Sequence, residues 1–273
     1  MAESANGTII NADASQVYRD LAILSARPTA AEEARAPHRL FGHRDGALAY
    51  SAAQWADEAK LAIAETLGAG RLPILVGGTG LYIRTLLDGI APVPEIDPEI
   101  RRTVRALSAA EAHAALAKED PVAAARLHPN DTSRLQRALE VVRATGRPIA
   151  DWRESRVGGI AADYVFELQT IVKPVAELYA RCDARVDQMI ANGAVEEVAA
   201  LRDRRLDPAL PVMRAIGVIP LIQFLAGEMA LNAAVAAIKQ ATRNYAKRQR
   251  TWLRHQLSQS DVTGPEKPAD KEG

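Results

Sequence analysis

Two short apolar runs in the first third of the chain have the pattern of buried strands. Thr8-Ile9-Ile10 ends in Asn11-Ala12-Asp13, and Leu72–Val76 runs directly into Gly77-Gly78-Thr79-Gly80. A helical pattern with one apolar face lies between them at 51–67, and another helix follows the glycine turn. In open α/β sheets, ligands bind at the carboxyl ends of the strands. The pattern therefore predicts an α/β protein with a parallel sheet and polar groups at its binding edge.

The pattern becomes purely helical beyond the prolines that start at Pro92. Ser108 with Glu111 forms a capping box, Asp120 precedes Pro121, and Asp131 opens a longer helix. We therefore expect a small all-helical insertion domain at 97–163.

The rest of the chain returns to the predicted core. Alternating apolar residues at 164–172 predict a strand that rejoins the sheet. Helical patterns follow near 174–191, 194–204, 214–226 and 230–257. Residues 1–96 and 164–257 are thus predicted to form the α/β core, and 258–273, rich in Pro, Asp, Lys, Glu and Gly, a disordered tail.

The composition is that of an ordinary globular protein, since 48% of the 273 residues are hydrophobic and 25% are charged. No apolar run approaches the length of a membrane span, and the N-terminus lacks the pattern of a signal peptide. The single cysteine, Cys182, excludes an internal disulfide framework. The five histidines show no metal-ligand spacing, so we assign no metal site to them. We expect a cytoplasmic protein that does not contact a membrane.

Charge is balanced overall, with 34 basic and 34 acidic residues, but it is concentrated in one segment. Six basic residues and no acidic ones lie between Lys239 and Arg254. Such a run is most often a solvated helix face. The interleaved Tyr245 and Trp252 favour a surface for phosphates or bases more than charge alone would, because stacking and charge together bind nucleic acid.

Asp13 is the first candidate for chemistry. A carboxylate at the end of a buried strand could act as a general base or hold a metal through water, although a turn or helix-capping aspartate is the commoner explanation. The glycine turn 77–80 could cradle a phosphate, but tight turns also need glycine for steric reasons alone.

Two pairs of arginines have spacings that place both side chains on one helical face. Arg181 and Arg185 could clamp a diphosphate, or they could pair with Asp183 or Asp187. Arg134 and Arg137 raise the same question for an RNA backbone.

Taken in order, several segments closely resemble the bacterial tRNA dimethylallyltransferase family over roughly residues 4–257. They are IINADASQVYR at 9–19, APHRL at 36–40, YSA at 50–52, LVGGTGLY at 75–82, DP at 120–121 with HPND at 128–131, RLQRALE at 134–140, and YAKRQ at 245–249 with Trp252. Such enzymes transfer the dimethylallyl group of dimethylallyl diphosphate to N6 of the adenosine adjacent to the anticodon, in tRNAs that read codons starting with U, normally with Mg²⁺.

The resemblance implies a parallel sheet like that of phosphate-loop NTPases, which bind ATP and other nucleotides, and an insertion domain that contacts tRNA. It makes Asp13 the base that accepts a proton from the adenine amine, and Arg185 a catalytic residue that binds the diphosphate with Arg181. The partners implied are dimethylallyl diphosphate and the anticodon stem-loop, and we expect a monomer. The tRNA-binding residues implied are Asp13, Ala14, Ser15, Gln16, Thr79, Arg101, Ser133, Arg134, Leu135, Gln136, Arg137, Arg214, Ala215, Ile216 and Gly217.

The sequence also departs from the family pattern, which opens with a strand and a phosphate-binding loop G-x-x-x-x-G-K-[ST]. The printed sequence contains no such motif, so we expect the first strand and the phosphate loop to be missing, which leaves the activity of this chain open. Two functions remain open: a tRNA prenyltransferase, and a non-catalytic protein that binds tRNA.

Overall fold

A computed structural model describes residues 1–171 and 173–256. The chain forms two compact units, one made of Met1–Leu86 with the chain from Tyr164 onward, and the other of Leu87–Asp163. The helical insertion predicted at 97–163 lies within the second unit.

A three-stranded parallel sheet forms the centre of the first unit. Strand β1 (Gly7–Asn11) lies between β2 (His38–Arg39) and β3 (Leu72–Val76), and Ile9 is in register with His38 on one side and Ile74 on the other. Because β1 is the middle strand, Ile10 and Asn11 at its carboxyl end are fully buried. The predicted α/β class with a parallel sheet is confirmed.

Helices make up most of the rest of this unit, and α2 (Ala52–Gly68) packs on the sheet. Helix α2 begins with the Ser51/Gln54 capping box and buries Trp55, whose indole stacks on Tyr82 at 4.5 Å. The other helices of the unit are α1 (Ala30–Glu33), α3 (Gly80–Asp88), which ends in the second unit, α9 (Val175–Ala191), α10 (Ala194–Asp203), a 3-10 turn (Pro211–Arg214), α11 (Val218–Leu225) and α12 (Leu231–Gln256).

The second unit is built from five further helices: α4 (Pro98–Arg105), α5 (Ala109–Glu119), α6 (Pro121–Arg126), α7 (Thr132–Thr145) and α8 (Ile149–Glu154). The Ser108/Glu111 capping box forms, and Asp120 and Asp131 cap α6 and α7 as their sequence positions predict. Their apolar faces form a core that includes Val104, Leu116, Leu135 and Leu139.

The strand predicted at 164–172 is wrong for the part that the structure describes. Residues 164–171 have no regular structure, and Val165 and Ile171 are 95% and 86% exposed. An alternating pattern makes a strand only when a neighbouring backbone pairs with it, and 164–171 pairs with none of the described strands. Val172 and the predicted tail at 258–273 lie outside the described residues.

None of the helices in the described part of the chain combines the length and apolarity of a membrane span.

Candidate active site

The loop after β1 carries Asp13 and is held by Asn11. The Asn11 amide oxygen accepts the Asp13 N–H at 2.8 Å, and the amide nitrogen donates to the carbonyls of Asp13 and Leu40, each at 3.0 Å. The Trp55 indole in turn donates to the Asn11 carbonyl at 2.8 Å. These bonds fix the main chain of Asp13 at the carboxyl edge of the sheet, where the sequence predicts polar groups.

The Asp13 carboxylate is half-buried. Its Oδ1 accepts the Ser15 N–H at 2.8 Å. Burial raises the pKa of Asp13 above its usual value, although the N–H groups of Ser15 and Gln16 and the charge of Arg185 partly oppose this shift. A carboxylate whose pKa is raised is a stronger base, and it takes up a proton more readily near neutral pH.

Asp13 lines a cleft of about 110 Å³ between the loop 13–25, α9 and α12. Apolar side chains form much of its wall, and polar groups from the loop, α9 and α12 reach it. The lining residues are Asp13, Ser15, Leu21, Leu24, Ser25, Arg185, Val186, Met189, Ala215, Ile216, Ile238, Thr242 and Tyr245. Five of the residues that the sequence singles out, Asp13, Ser15, Arg185, Ala215 and Ile216, therefore meet in one cleft.

The two arginines of α9 have different surroundings. Arg185 lines the cleft, and no carboxylate lies within 4.0 Å of it in residues 1–171 and 173–256. Arg181 is 65% exposed and pairs with Glu177 at 3.7 Å. Asp183 and Asp187, the pairing partners considered from sequence, instead bind Arg243 and Lys239 of α12. The arrangement leaves Arg185 as the cation available to an anion in the cleft.

The glycine turn after β3 is a close-packed junction. A Cβ at Gly77 would overlap the Ala12 main chain, and one at Gly80 would overlap the Trp252 ring. The Gln249 amide donates to the Gly78 carbonyl at 3.1 Å. Close packing therefore requires glycine at these positions, which is one of the two explanations that the sequence left open.

Thr79, within the turn, acts on the Asp13 loop. Its hydroxyl accepts the Ala14 N–H at 2.9 Å, and its own N–H donates to the Ala12 carbonyl at 3.2 Å. Tyr245 of α12 lines the same cleft, and burial raises the pKa of its phenol. The sequence suggested Tyr245 only as a stacking surface and missed its place in the cleft.

Gln16 and Glu197 hold the opposite side of the cleft. The Gln16 amide donates to the carbonyls of Ser25 and Ala26 at 3.1 and 3.0 Å. The Glu197 carboxylate of α10 accepts the N–H groups of three consecutive residues, Ala22, Ile23 and Leu24, at 2.6 to 2.9 Å. Sequence reasoning missed Glu197, because no local pattern connects residues more than 170 positions apart.

The predicted segment 214–217 passes the same cleft. Arg214 bonds the Ala209 carbonyl, and Gly217 has a φ of +99°, which favours glycine. A Cβ at Gly217 would also press on Leu24 at 2.8 Å. The backbone there brings Ala215 and Ile216 to the lining.

The predicted RNA-contacting residues of the second unit lie on α4 and α7. Arg101 and Ser133 are exposed, and Arg134 is 74% exposed and pairs with Asp131 at 3.3 Å. Leu135 is fully buried in the core. Gln136 donates to the carbonyls of Arg105 and Leu107, and Arg137 pairs with Glu140. The contact of these residues with RNA stays a prediction.

The basic segment of α12 divides into two parts. Lys239 and Arg243 join α12 to α9, because they pair with Asp187 and Asp183 at 2.7 Å. Farther along, Lys247 and Arg248 are exposed, and the Arg248 guanidinium lies 5.7 Å from the centre of the Tyr245 ring.

The Mg²⁺ ion that the family resemblance implies stays a prediction for the described residues. They bring no three carboxylate, imidazole or thiol groups together, and Asp13 is the carboxylate of the cleft. Mg²⁺ is commonly held by one or two carboxylates together with substrate phosphates. We therefore derive no step through the ion.

The fold and the cleft define an α/β protein that places a half-buried carboxylate opposite a cation. The family model described as IPP transferase matches residues 16–256, so the chain belongs to the IPP transferase family. It is 61% identical over 251 residues to the tRNA dimethylallyltransferase of Sphingopyxis alaskensis, covering 92% of this chain and 82% of that protein.

Two solved structures resemble the fold. The tRNA isopentenylpyrophosphate transferase of Bacillus halodurans is 34% identical, with a TM-score of 0.66 and coverage of 93% of this chain and 80% of that one. A eukaryotic dimethylallyltransferase acting on tRNA is 27% identical, with a TM-score of 0.75 and coverage of 92% and 64%.

Proposed function

We propose that the protein transfers a dimethylallyl group from dimethylallyl diphosphate to N6 of the adenosine adjacent to the anticodon of tRNA. The observation that carries this proposal is the cleft in which Asp13 and Arg185 meet. The names of the relatives, tRNA dimethylallyltransferase and tRNA isopentenylpyrophosphate transferase, support the choice of substrates.

Each group of the cleft has a role in this reaction. The adenine N6 attacks the first carbon of the dimethylallyl group, a nitrogen–carbon bond forms, and the carbon–oxygen bond to the diphosphate breaks. Asp13 accepts the proton that N6 loses, and its raised pKa suits that task. Arg185 neutralises the negative charge that develops on the departing diphosphate.

The size and lining of the cleft also support a small apolar substrate. A volume of about 110 Å³ suits a five-carbon chain, and Leu24, Val186, Met189 and Ile238 give it an apolar wall. Such a wall keeps water away from an allylic carbon that becomes positive as its bond breaks. The adenine must leave the anticodon-loop stack before its N6 can reach the allylic carbon.

The metal ion, the cellular location and the oligomeric state belong to the same proposal. Mg²⁺ would accompany the diphosphate, and the protein would act in the cytoplasm as a monomer on the anticodon stem-loop. ATP binding is implied only by the likeness to phosphate-loop proteins, and no contact described above adds to it.

The test is transfer of labelled dimethylallyl from its diphosphate to an RNA hairpin with the sequence of an anticodon stem-loop. We expect labelling of a hairpin with adenosine at the target position and none of one with inosine, which lacks the exocyclic amine. Asp13→Asn should lower the rate about 10²- to 10⁴-fold, the usual contribution of a general base. Asp57→Asn on the exposed face of α2 is the matched control.

Three results can be told apart. Transfer to the adenosine hairpin that Asp13→Asn abolishes supports the proposal. Binding of the hairpin without transfer favours the non-catalytic tRNA-binding protein that the sequence left open. If the chain neither binds the hairpin nor transfers the label, both functions are contradicted.

A further inference from the structure

The helical unit contains a buried carboxylate that the proposed reaction does not use. The Glu140 side chain on α7 is 3% exposed and lies among the packed helices of that unit. A buried carboxylate is costly unless cations or donors pair with it.

Two arginines from different helices share this carboxylate. Arg105, in the last turn of α4, donates from Nε to Glu140 Oε1 at 3.0 Å, and Nη1 of Arg137 lies 3.5 Å from Oε2. The two guanidinium groups therefore share one carboxylate, and their summed charge exceeds that of the carboxylate by one.

Both arginines pair with Glu140 and still expose about half of their side chains to solvent. Their side chains are 57% and 44% exposed, and within the described residues neither pairs with a second acidic group. Gln136 fixes the end of α4 on α7 by donating to the carbonyls of Arg105 and Leu107 at 3.4 and 3.0 Å. An arginine held in place loses little entropy when it binds a ligand, and its planar fork matches the oxygens of a phosphate.

Further positive charge lies on the same two helices. Arg101 precedes Arg105 by one turn of α4 and is exposed. Arg134 precedes Arg137 on α7, with 74% of its side chain exposed. Arg134 pairs with Asp131, so Arg105 and Arg137 are the arginines of α4 and α7 that Glu140 holds in place.

We propose that Arg105 and Arg137, which both pair with Glu140, bind phosphodiester groups of an RNA backbone. The inference rests on the proposed function, which makes RNA the polyanion that the protein meets. It adds Arg105 as a contact and Glu140 as a positioning residue, neither of which the family resemblance supplies. If the arginines served only to neutralise Glu140, RNA binding would not depend on the charge of Arg105.

The test measures binding of the anticodon stem-loop hairpin by the full chain over a range of KCl concentrations. Loss of one phosphate contact lowers the slope of log K against log salt by about 0.7 to 0.9. We expect Arg105→Gln to show this loss together with several-fold weaker binding. Arg102→Gln, on an exposed residue of the same helix that pairs with Glu99, should keep both the slope and the affinity.

A second measurement needs no variant and so does not depend on how Arg105→Gln folds. An arginine-specific dicarbonyl reagent is applied to the wild-type chain with and without the hairpin, and modified peptides are quantified by mass spectrometry. We expect RNA to protect Arg105 and to leave Arg102 equally reactive.

Unchanged salt dependence in a folded Arg105→Gln variant, or equal reactivity of Arg105 with and without RNA, would overturn the inference while wild-type binding still stands. A wild-type chain that does not bind the hairpin would instead count against the proposed function.

Discussion

The side chain of Asn11 holds the main chain of Asp13 from both sides. Its oxygen accepts the Asp13 N–H at 2.8 Å, and its nitrogen donates to the Asp13 carbonyl at 3.0 Å. An amide can do both because its carbonyl carbon carries an acceptor oxygen and a donor nitrogen. The main-chain position of the proposed base is therefore fixed by the residue two positions earlier, at the end of the same strand.

Asn11→Ala should uncouple this arrangement. Asn11 is fully buried, so its removal leaves polar main-chain groups without partners, and we expect a loss of about 2–3 kcal/mol in the free energy of unfolding. Urea unfolding measures this loss. Asn244→Ala, at an exposed position on α12, should change stability by less than about 0.5 kcal/mol. Equal effects of the two substitutions would argue against a structural role of Asn11.

Asp13→Asn should stabilise the protein while removing the base. Burial raises the pKa of Asp13 above its unfolded value of 3.8, so the folded state binds the proton more tightly than the unfolded state does. That contribution to stability is present below pH 3.8 and is lost as the pH rises through the folded pKa. The variant does not titrate there, so its melting temperature should exceed that of the wild type at pH 7 by more than at pH 4.

Asp45→Asn is the control of opposite sign for that experiment. The Ala47 N–H and Arg204 lower the pKa of Asp45, so its ionised form stabilises the folded state at neutral pH. We expect this variant to melt below the wild type at pH 7. The interpretation of Asp13 fails if both variants shift in the same direction.

Arg185→Gln and Arg181→Gln separate the two arginines of α9. Loss of the unpaired cation in the cleft should raise KM for dimethylallyl diphosphate and lower kcat, with a combined effect of about 10²-fold or more on kcat/KM. Arg181 pairs with Glu177 outside the cleft lining, so its variant should behave nearly as the wild type. Steady-state transfer kinetics measure both, and equal losses would mean that the two arginines act together.

Glu197→Gln should loosen the loop opposite Asp13. The carboxylate accepts three main-chain N–H groups, whereas an amide has one oxygen and would face at least one of them with a donor. We expect a loss of about 1–3 kcal/mol in the free energy of unfolding. Its exposed neighbour Glu196 provides the matched control, because Glu196→Gln should cost less than about 0.5 kcal/mol. A similar loss in both would place the effect in helix α10 as a whole.

The sequence predicted much of the fold because the signals were local. Residues 72–76 form the strand that their apolar run indicates, and Ser51 and Ser108 cap helices through the glutamine and glutamate three positions later. The error at 164–171 has a different cause. An alternating pattern indicates a strand only if a neighbouring strand pairs with it, and the pattern itself does not show whether such a strand is present.

The candidate site was predictable in part for a similar reason. Asp13 and Arg185 were found through motifs and the family resemblance, and the cleft brings them together. Glu197 and the place of Tyr245 in the cleft could not be found that way, since both depend on residues far away in sequence. A contact between residues far apart in the chain produces no local spacing pattern in the sequence.

The contact between Gln249 and Gly78 joins residues 171 positions apart. At a translation rate of about 5–20 residues per second, the chain that supplies Gln249 leaves the ribosome roughly 10–30 s after the glycine turn. The loop that bears Asp13 thus spends that interval without the helix that later packs beside it. The order of synthesis makes the cleft one of the last parts of the protein to form, and a nascent chain stalled before α12 would hold the proposed base without its enclosing wall.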